Sequence, residues 1–304
     1  MSLLVLDEHQ VRSLLTMEEC IGAMEEVLRS LARGELLQPL RPVFRATDAD
    51  TLFGLMPAYR GGERPAWSLK EIVIAPGNPA RDLDAHQGAV LLHDGATGQL
   101  RALLNASAIT EIRTAAVSAV ATRTLARPGA RLVAILGGGV QAGSHATAMR
   151  AVLPDADVRV WKRGDGGTPE ALLREADVVC TCTSAREPVL ERGWLKPGAH
   201  VNAVGSSVPS ARELDEETMA AATLVVDRRE SALNEAGDLL LAGFGEERIA
   251  AELGEVLEGA HPGRSRDDEL TVFKSLGLGV EDLAAAELVV RKAREQGVGT
   301  EVAF

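Results

Sequence analysis

An apolar run from Arg131 to Leu136 empties directly into glycine: Ala134-Ile-Leu-Gly-Gly-Gly-Val-Gln-Ala142 reads as a strand, a tight turn and a helix start. No other stretch limits the fold as strongly. A strand that passes into a helix through Gly137-x-Gly139-x-x-Ala142 aims backbone N–H groups and a positive helix end at one point, the arrangement that holds a pyrophosphate. Glycine-rich turns are common, so the context decides. Here a helical Gln141–Val152 and a strand at Asp157–Trp161 follow, completing a βαβ unit. The expectation is a Rossmann-type domain for a nicotinamide dinucleotide, with Gly137, Gly139, Val140, Gln141 and Ala142 against the pyrophosphate.

The second half alternates strand and helix, as a parallel sheet requires. Strands are expected at 131–136, 157–161, 177–182, 199–204 and 223–227. Only fifteen residues, Lys162–Ala176, separate the second strand from the third. A full helix–strand–helix passage needs about twice that, since each βαβ takes about 30 residues. Gly164-Asp-Gly-Gly167 therefore reads as a shortcut across a missing strand and helix, and the dinucleotide domain as abbreviated.

The first half is patterned differently. The first forty residues read as two helices, with Thr16-x-x-Glu19 as a capping box before Ile21, Met24, Val27, Leu28 and Leu31 on one face. Strand-like segments follow. Phe53–Met56 stops at Pro57, Leu69–Ala75 precedes Pro-Gly-Asn-Pro, and Ala89–His93 with Leu100–Leu104 flank Asp94-Gly-Ala-Thr-Gly as a hairpin. An Ala-rich helix, Thr110–Leu125, ends at Arg127-Pro-Gly129, the expected domain boundary. A last helix, Val280–Gln296, leads back to the first domain. The fold class is thus α/β: an abbreviated Rossmann domain at 128–277, and a discontinuous α+β substrate and dimerisation domain at 1–127 completed by 278–304.

Composition removes several alternatives. The 304 residues carry a net charge of −12 and 3% aromatic residues, which disfavours nucleic-acid phosphates and leaves no stacking platform for bases. No run nears the roughly 18 apolar residues of a membrane span, and the N-terminus has no basic segment before its first acid. A cytoplasmic location is expected. Cys20, Cys180 and Cys182 form no disulfide framework or CxxC, and the histidines have no ligand spacing, so no metal site is expected.

The end of the second strand bears on cofactor choice. An acid there grips the ribose 2′-hydroxyl of NAD, whereas cations suit a 2′-phosphate. Val160-Trp161 is followed by Lys162-Arg163, which favours NADP(H); Asp165 leaves NAD(H) open. Solvated loop charge is the bland reading of both cations.

Several stretches together resemble the ornithine cyclodeaminase/μ-crystallin family: Gln38-Pro-Leu-Arg41, Gly54-Leu-Met-Pro-Ala-Tyr59, Lys70 with Ile-Val-Ile, Ile109-Thr-Glu-Ile-Arg-Thr-Ala-Ala-Val-Ser-Ala119 and Gly137–Gln141. Trp194–Gly205, Ala251–Glu255 and Thr271–Gly277 extend the match over nearly the whole chain. The resemblance implies a dimer formed through the sheet of the first domain, and hydride exchange at the α-carbon of a small amino or imino acid. It places Arg41, Lys70 and Arg113 on the substrate carboxylate, and Thr114, Thr183, Gly205 and Ser275 beside the cofactor. Arginine and lysine suit a carboxylate on chemical grounds as well, although surface charge is the alternative for each. Asp227, closing a strand, is read either as a cap or as a ligand contact.

Two departures separate this chain from true cyclodeaminases. Gly54 stands where they have a glutamate, and Ser207 where they have an acid that handles protons at the amine; a hydroxyl has far too high a pKa for that role. Both changes match the ketimine-reductase-like μ-crystallin branch. The expected activity is NADP(H)-dependent reduction of a small α-imino acid, such as a cyclic ketimine carboxylate, or the reverse oxidation. Ser207 either bonds the imine nitrogen or is an ordinary turn serine before Pro209. The alternatives are an NAD-dependent ornithine cyclodeaminase and a non-catalytic NADP(H)-binding crystallin-like protein.

Overall fold

The computed structural model describes residues 2–304. Strand β1 (Ser2–Leu6) and helices α1 (Glu8–Leu14) and α2 (Met17–Ala32) come first. Six strands follow: β2 (Leu36–Leu37), β3 (Val43–Arg45), β4 (Leu52–Arg60), β5 (Ala66–Ile74), β6 (His86–Asp94) and β7 (Leu100–Asn105), then the long α3 (Ala106–Leu125). The second half comprises β8 (Leu132–Leu136), α4 (Val140–Val152), β9 (Asp157–Trp161), α5 (Glu170–Glu175), β10 (Val178–Thr181), β11 (His200–Ala203), α6 (Glu216–Ala221) and β12 (Thr223–Val226). It continues through α7 (Arg229–Glu235), α8 (Gly237–Leu240), β13 (Ile249–Glu252), α9 (Leu253–Leu257) and β14 (Thr271–Lys274). Helix α10 (Gly279–Gln296) and β15 (Thr300–Ala303) close the chain.

Two compact units result, Met1–Arg113 with Leu278–Phe304, and Thr114–Gly277. The division falls inside α3, which runs unbroken past it, whereas the Arg127–Gly129 loop lies within the second unit.

In the first unit the sheet order is β15-β1-β7-β6-β5-β4-β2, with β3 also paired to β4. Only β1 and β7 pair in parallel; β4 to β7 form an antiparallel meander. The expected hairpin is β6–β7, and its turn is held by Asp94 Oδ1, which accepts from the N–H groups of Ala96 and Thr97. Two expectations are corrected. The chain opens on a strand, β1, which buries Leu3, Leu4 and Leu6; a short apolar run does not distinguish strand from helix. Strand β4 also continues through Pro57. Leu55 donates its N–H to the Pro42 carbonyl, away from β5, and strand periodicity turns the Pro57 nitrogen to that same side. There β2 and β3 cover only Tyr59–Arg60 and Leu52–Gly54, so Pro57 sits in a gap where no ladder donor is needed.

The second unit is a fully parallel seven-stranded sheet in the order β13-β12-β14-β11-β10-β8-β9. Strands β10, β11 and β14 are buried from end to end, and β8 from Val133 onward, as strands covered on both faces must be. Strand β9 is an edge: the strand that would lie beyond it is absent, and the chain returns past β8 to β10 through a single turn and the short α5. The shortened passage read from Lys162–Ala176 is this crossover. The interior β14 and the edge strand β13, four residues each, are additional to the expected strands.

Candidate active site

Strand β5 alternates its burial. Ala66, Ser68, Lys70 and Ile72 point to the face that packs on α10, while Trp67, Leu69, Glu71 and Val73 point to the other. Lys70 thus lies on the interior face by strand periodicity alone. It is 2% exposed, with Met56 on one side and Val90 on the other. Its Nζ lies 2.8 Å from Asp282 Oδ2, an ion pair rather than an aligned hydrogen bond, and donates to Thr110 Oγ1 at 3.3 Å.

Arg113 reaches the same place from α3, a helix apolar nearly all round and therefore buried. Its Nε donates to Asp282 Oδ1 at 3.0 Å and its Nη1 to Glu281 Oε2 at 2.7 Å. Both acids are fully buried in the first turn of α10. Arg41 is half-buried and near enough to Lys70 to press on its charge. Burial pushes the Lys70 ammonium down to about 8, with Arg113 and Arg41 adding to the shift and Asp282 opposing it. The structure therefore joins Lys70 and Arg113 through Asp282, with Arg41 near enough to act on the Lys70 charge.

Glu281 and Asp282 were missed, and so was what anchors them. Gln38 Oε1 accepts the Val280 N–H at 3.0 Å, capping α10 from outside the helix. Gly279 lets the helix start approach β4: a Cβ there would lie 2.9 Å from the Pro57 carbonyl oxygen and 3.0 Å from that of Met56. Acids at a helix N-terminus are so common that Glu281 and Asp282 gave no signal of their own. Gln38, next to Arg41 in the matched segment, was the available clue.

The second unit holds the dinucleotide motif. Gly137 has φ 144°, and a Cβ would lie 2.4 Å from the Cys182 carbonyl oxygen, so its glycine is required by the neighbouring strand end. Gly139 caps α4 without a side chain, and no atom of the chain lies within 4 Å of where its Cβ would be. The space beside it is open, as the close approach of a ligand to the backbone requires. Val140 is exposed on the first turn of α4, next to Gln141 and the buried Ala142. The Lys162 side chain runs across Gly138, its Cβ 3.3 Å from where a Cβ on Gly138 would be, and its N–H donates to Asp165 Oδ2 at 3.0 Å. Arg163 lies in the short turn that follows.

Thr183 and Gly205, at the carboxyl ends of β10 and β11, are tied to one buried acid absent from the sequence reading. Glu213 accepts from the Thr183 N–H at 2.7 Å, the Thr183 hydroxyl at 2.6 Å, the Thr181 hydroxyl at 2.7 Å and the Gly205 N–H at 2.7 Å. Burial pushes its carboxyl up, against the pull of Lys274 and the two threonines. Lys274, at the end of β14, pairs with Asp238 at 2.9 Å. Ser275 follows it, buried, with its N–H on the Ala203 carbonyl. Ser207 is half-buried beyond Gly205, and Thr114 is buried in α3. Asp227 does not cap the helix that follows it: its Oδ2 accepts the N–H groups of Leu276 and Gly277 at 2.6 and 2.8 Å, tying the end of β12 to the connection after β14.

The family model described as the ornithine cyclodeaminase/mu-crystallin family matches residues 1–174 and 166–297. The chain belongs to that family. It is 42% identical over 288 residues to the ketimine reductase mu-crystallin of Mus musculus, covering 88% of this chain and 90% of the relative. Thermococcus litoralis Δ1-pyrroline-2-carboxylate reductase, solved with NADH and L-proline, superposes with a TM-score of 0.93 at 33% identity over 99% of this chain and all (100%) of that one. An archaeal alanine dehydrogenase dimer with bound NAD gives a TM-score of 0.94 at 30% identity, with 100% of both chains covered. These family members share its two-domain architecture, and the chain is a nicotinamide-dependent oxidoreductase.

Proposed function

We propose that this protein reduces a small α-imino acid to the α-amino acid with hydride from a reduced nicotinamide dinucleotide, and runs the reverse oxidation at the same site. The observation that carries this reading is the buried Lys70–Arg113 pair with Arg41 beside it, in a chain whose relatives include a ketimine reductase. When bound, the nicotinamide supplies or accepts the hydride. The chain does the rest. A substrate carboxylate between the guanidinium groups and the ammonium gains charge-assisted hydrogen bonds that fix the adjacent imine carbon. A protonated iminium is already electrophilic, so the site needs orientation and exclusion of water more than a strong acid. In this reading Ser207 hydrogen-bonds the imine nitrogen, and Thr114, Thr183, Gly205 and Ser275 border the cofactor.

The substrate proposed is a five- or six-membered cyclic ketimine carboxylate, as suits a family whose solved member carries L-proline. Gly54 and Ser207 favour reduction over cyclodeamination. NADP(H) is the proposed cofactor, because Lys162 and Arg163 follow the end of β9, the strand end at which cations suit a 2′-phosphate; Asp165, which accepts the Lys162 N–H, keeps NAD(H) usable. The exposed face of the first sheet, with Phe44, Phe53, Trp67 and Val73, is the proposed homodimer surface. None of the described helices is long and apolar enough to cross a membrane, and we place the protein in the cytoplasm.

The test is loss of reduced-nicotinamide absorbance with a cyclic ketimine carboxylate, NADPH and NADH in parallel. Turnover with NADPH exceeding that with NADH supports both proposals. No turnover with either cofactor, in protein that binds NADPH, rejects the cyclic-ketimine substrate. Lys70→Met separates enzyme from binding protein: turnover falls at least about 100-fold while nucleotide affinity is unchanged.

A further inference from the structure

Lys70 and Arg113 enter a site where like charge is concentrated. Arg41, in the segment before β3, and Arg113, on α3, both act on the Lys70 charge, and the positive end of α10 adds to them. His86 on β6 feels the Lys70 charge too; desolvation holds its imidazole below the ordinary range, Asp84 opposing and Lys70 reinforcing the shift. Cys20 of α2 lies near Arg113 and Glu281, its thiol pushed up by burial. Thr110 contributes only a hydroxyl. Against these stand two acids, Glu281 and Asp282. Their contacts differ: Glu281 meets Arg113, whereas Asp282 bridges Arg113 at 3.0 Å and Lys70 at 2.8 Å, with one oxygen for each.

We propose that Asp282 is a positioning residue for imino-acid binding, holding the Lys70 ammonium charged and aligned beside Arg113 in a buried site. This rests on the functional reading above and deepens it by assigning the pH limit of that site. A lysine buried among cations sheds its proton readily, and here the ammonium already lies at about 8 with Asp282 opposing the shift. Removing the carboxylate leaves desolvation, Arg113 and Arg41 unopposed. A neutral amine gives the substrate no charge, so binding fails as Lys70 deprotonates.

The experiment compares wild type with Asp282→Asn by two readouts. Titration of the Lys70 side chain by isotope-edited NMR in substrate-free protein requires no turnover, so its outcome is separate from that of the functional reading. The expected midpoint lies near 8 in wild type and at least about one pH unit lower in the variant. The alkaline limb of kcat/KM for the ketimine carboxylate moves by the same amount, KM rises about five-fold at pH 8, and NADPH affinity is unchanged. An unmoved midpoint and limb, with activity lowered equally at every pH, would mean that Asp282 only supports the fold, and the proposal would be overturned. Should Asp282→Asn not fold, Lys70→Arg tests the same point with Asp282 intact. Its guanidinium stays charged, so the limb near pH 8 disappears; persistence of that limb overturns the proposal equally.

Discussion

His145 donates from Nδ1 to the Gln141 carbonyl at 2.7 Å and accepts at Nε2 from Ser118 at 2.9 Å, a tautomer dictated by a carbonyl that can only accept. His200 is likewise enclosed, between Thr271 and Asn202. Burial lowers the two imidazoles to about 4 and about 3. Both folded values lie below the ordinary 6.5, so the unfolded chain takes up protons that the folded one refuses. Their stabilisation is complete above pH 6.5 and is lost as pH falls toward 4, at about 1.4 kcal/mol per pH unit for each ring. The raised Glu213 carboxyl acts in the opposite sense, but equally in a variant that keeps it. His145→Gln should therefore flatten the slope of unfolding free energy between pH 6 and 4 by about 1.4 kcal/mol per unit, measured by urea denaturation across that range. Gly205 gives a second residue-scale expectation. A Cβ there would lie 2.1 Å from the Thr183 carbonyl oxygen and 2.5 Å from Glu213, so Gly205→Ala should cost about 1–3 kcal/mol and weaken nucleotide binding, seen by denaturation and by NADPH titration. At this scale the cations were legible because a charge inside an apolar strand or an Ala-rich helix stands out. Their acidic partners were not, because Glu281 and Asp282 look like ordinary residues of a helix start.

Helix α10 is placed by contacts far from it in sequence: the Gln38 cap and the close approach of Gly279 to β4. Gly279→Ala should push the helix start away from Met56 and Pro57, carrying Glu281 and Asp282 out of register with Lys70 and Arg113. The expected result is about a ten-fold rise in KM for the imino acid, with NADPH affinity unchanged, in steady-state kinetics and direct titration. Long periodic elements were legible: α2, α3, α4, α10 and the β6–β7 hairpin all follow from spacing and turn residues. Short strands were legible only where apolar runs alternate with helices, as in β8 to β12. β1, β14 and β15 have five residues or fewer, and their pairing with distant strands, rather than their own pattern, makes them strands. Pro57 misled for a related reason, since a proline is compatible with a strand wherever the neighbouring ladder is interrupted, and sequence does not reveal the interruption.

At the scale of the molecule, family membership accounts for the two-domain plan, and the short Lys162–Ala176 passage predicted the abbreviated sheet. The proposed dimer surface lies on the sheet face opposite Lys70, so a charge placed there should separate chains without touching the substrate clamp. Phe53→Glu with Trp67→Glu is expected to elute as a monomer in size-exclusion chromatography, while wild type elutes as a dimer.

The truncation beyond β9 also has a colloidal consequence. An edge strand offers a row of backbone donors and acceptors to any passing chain, and here no further strand covers it. Asp157-Val-Arg-Val-Trp161 meets that hazard with charge: Asp157 and Arg159 pair at 2.7 Å on its solvent side, both more than half exposed. Those two residues act as gatekeepers against fibril-like stacking. Arg159→Val would leave a run of β-branched and aromatic side chains with one lone acid, and light scattering at high protein concentration should rise while the fold and nucleotide affinity stay intact. The uncovered edge of the dinucleotide domain thus sets a solubility requirement that rests on Asp157 and Arg159.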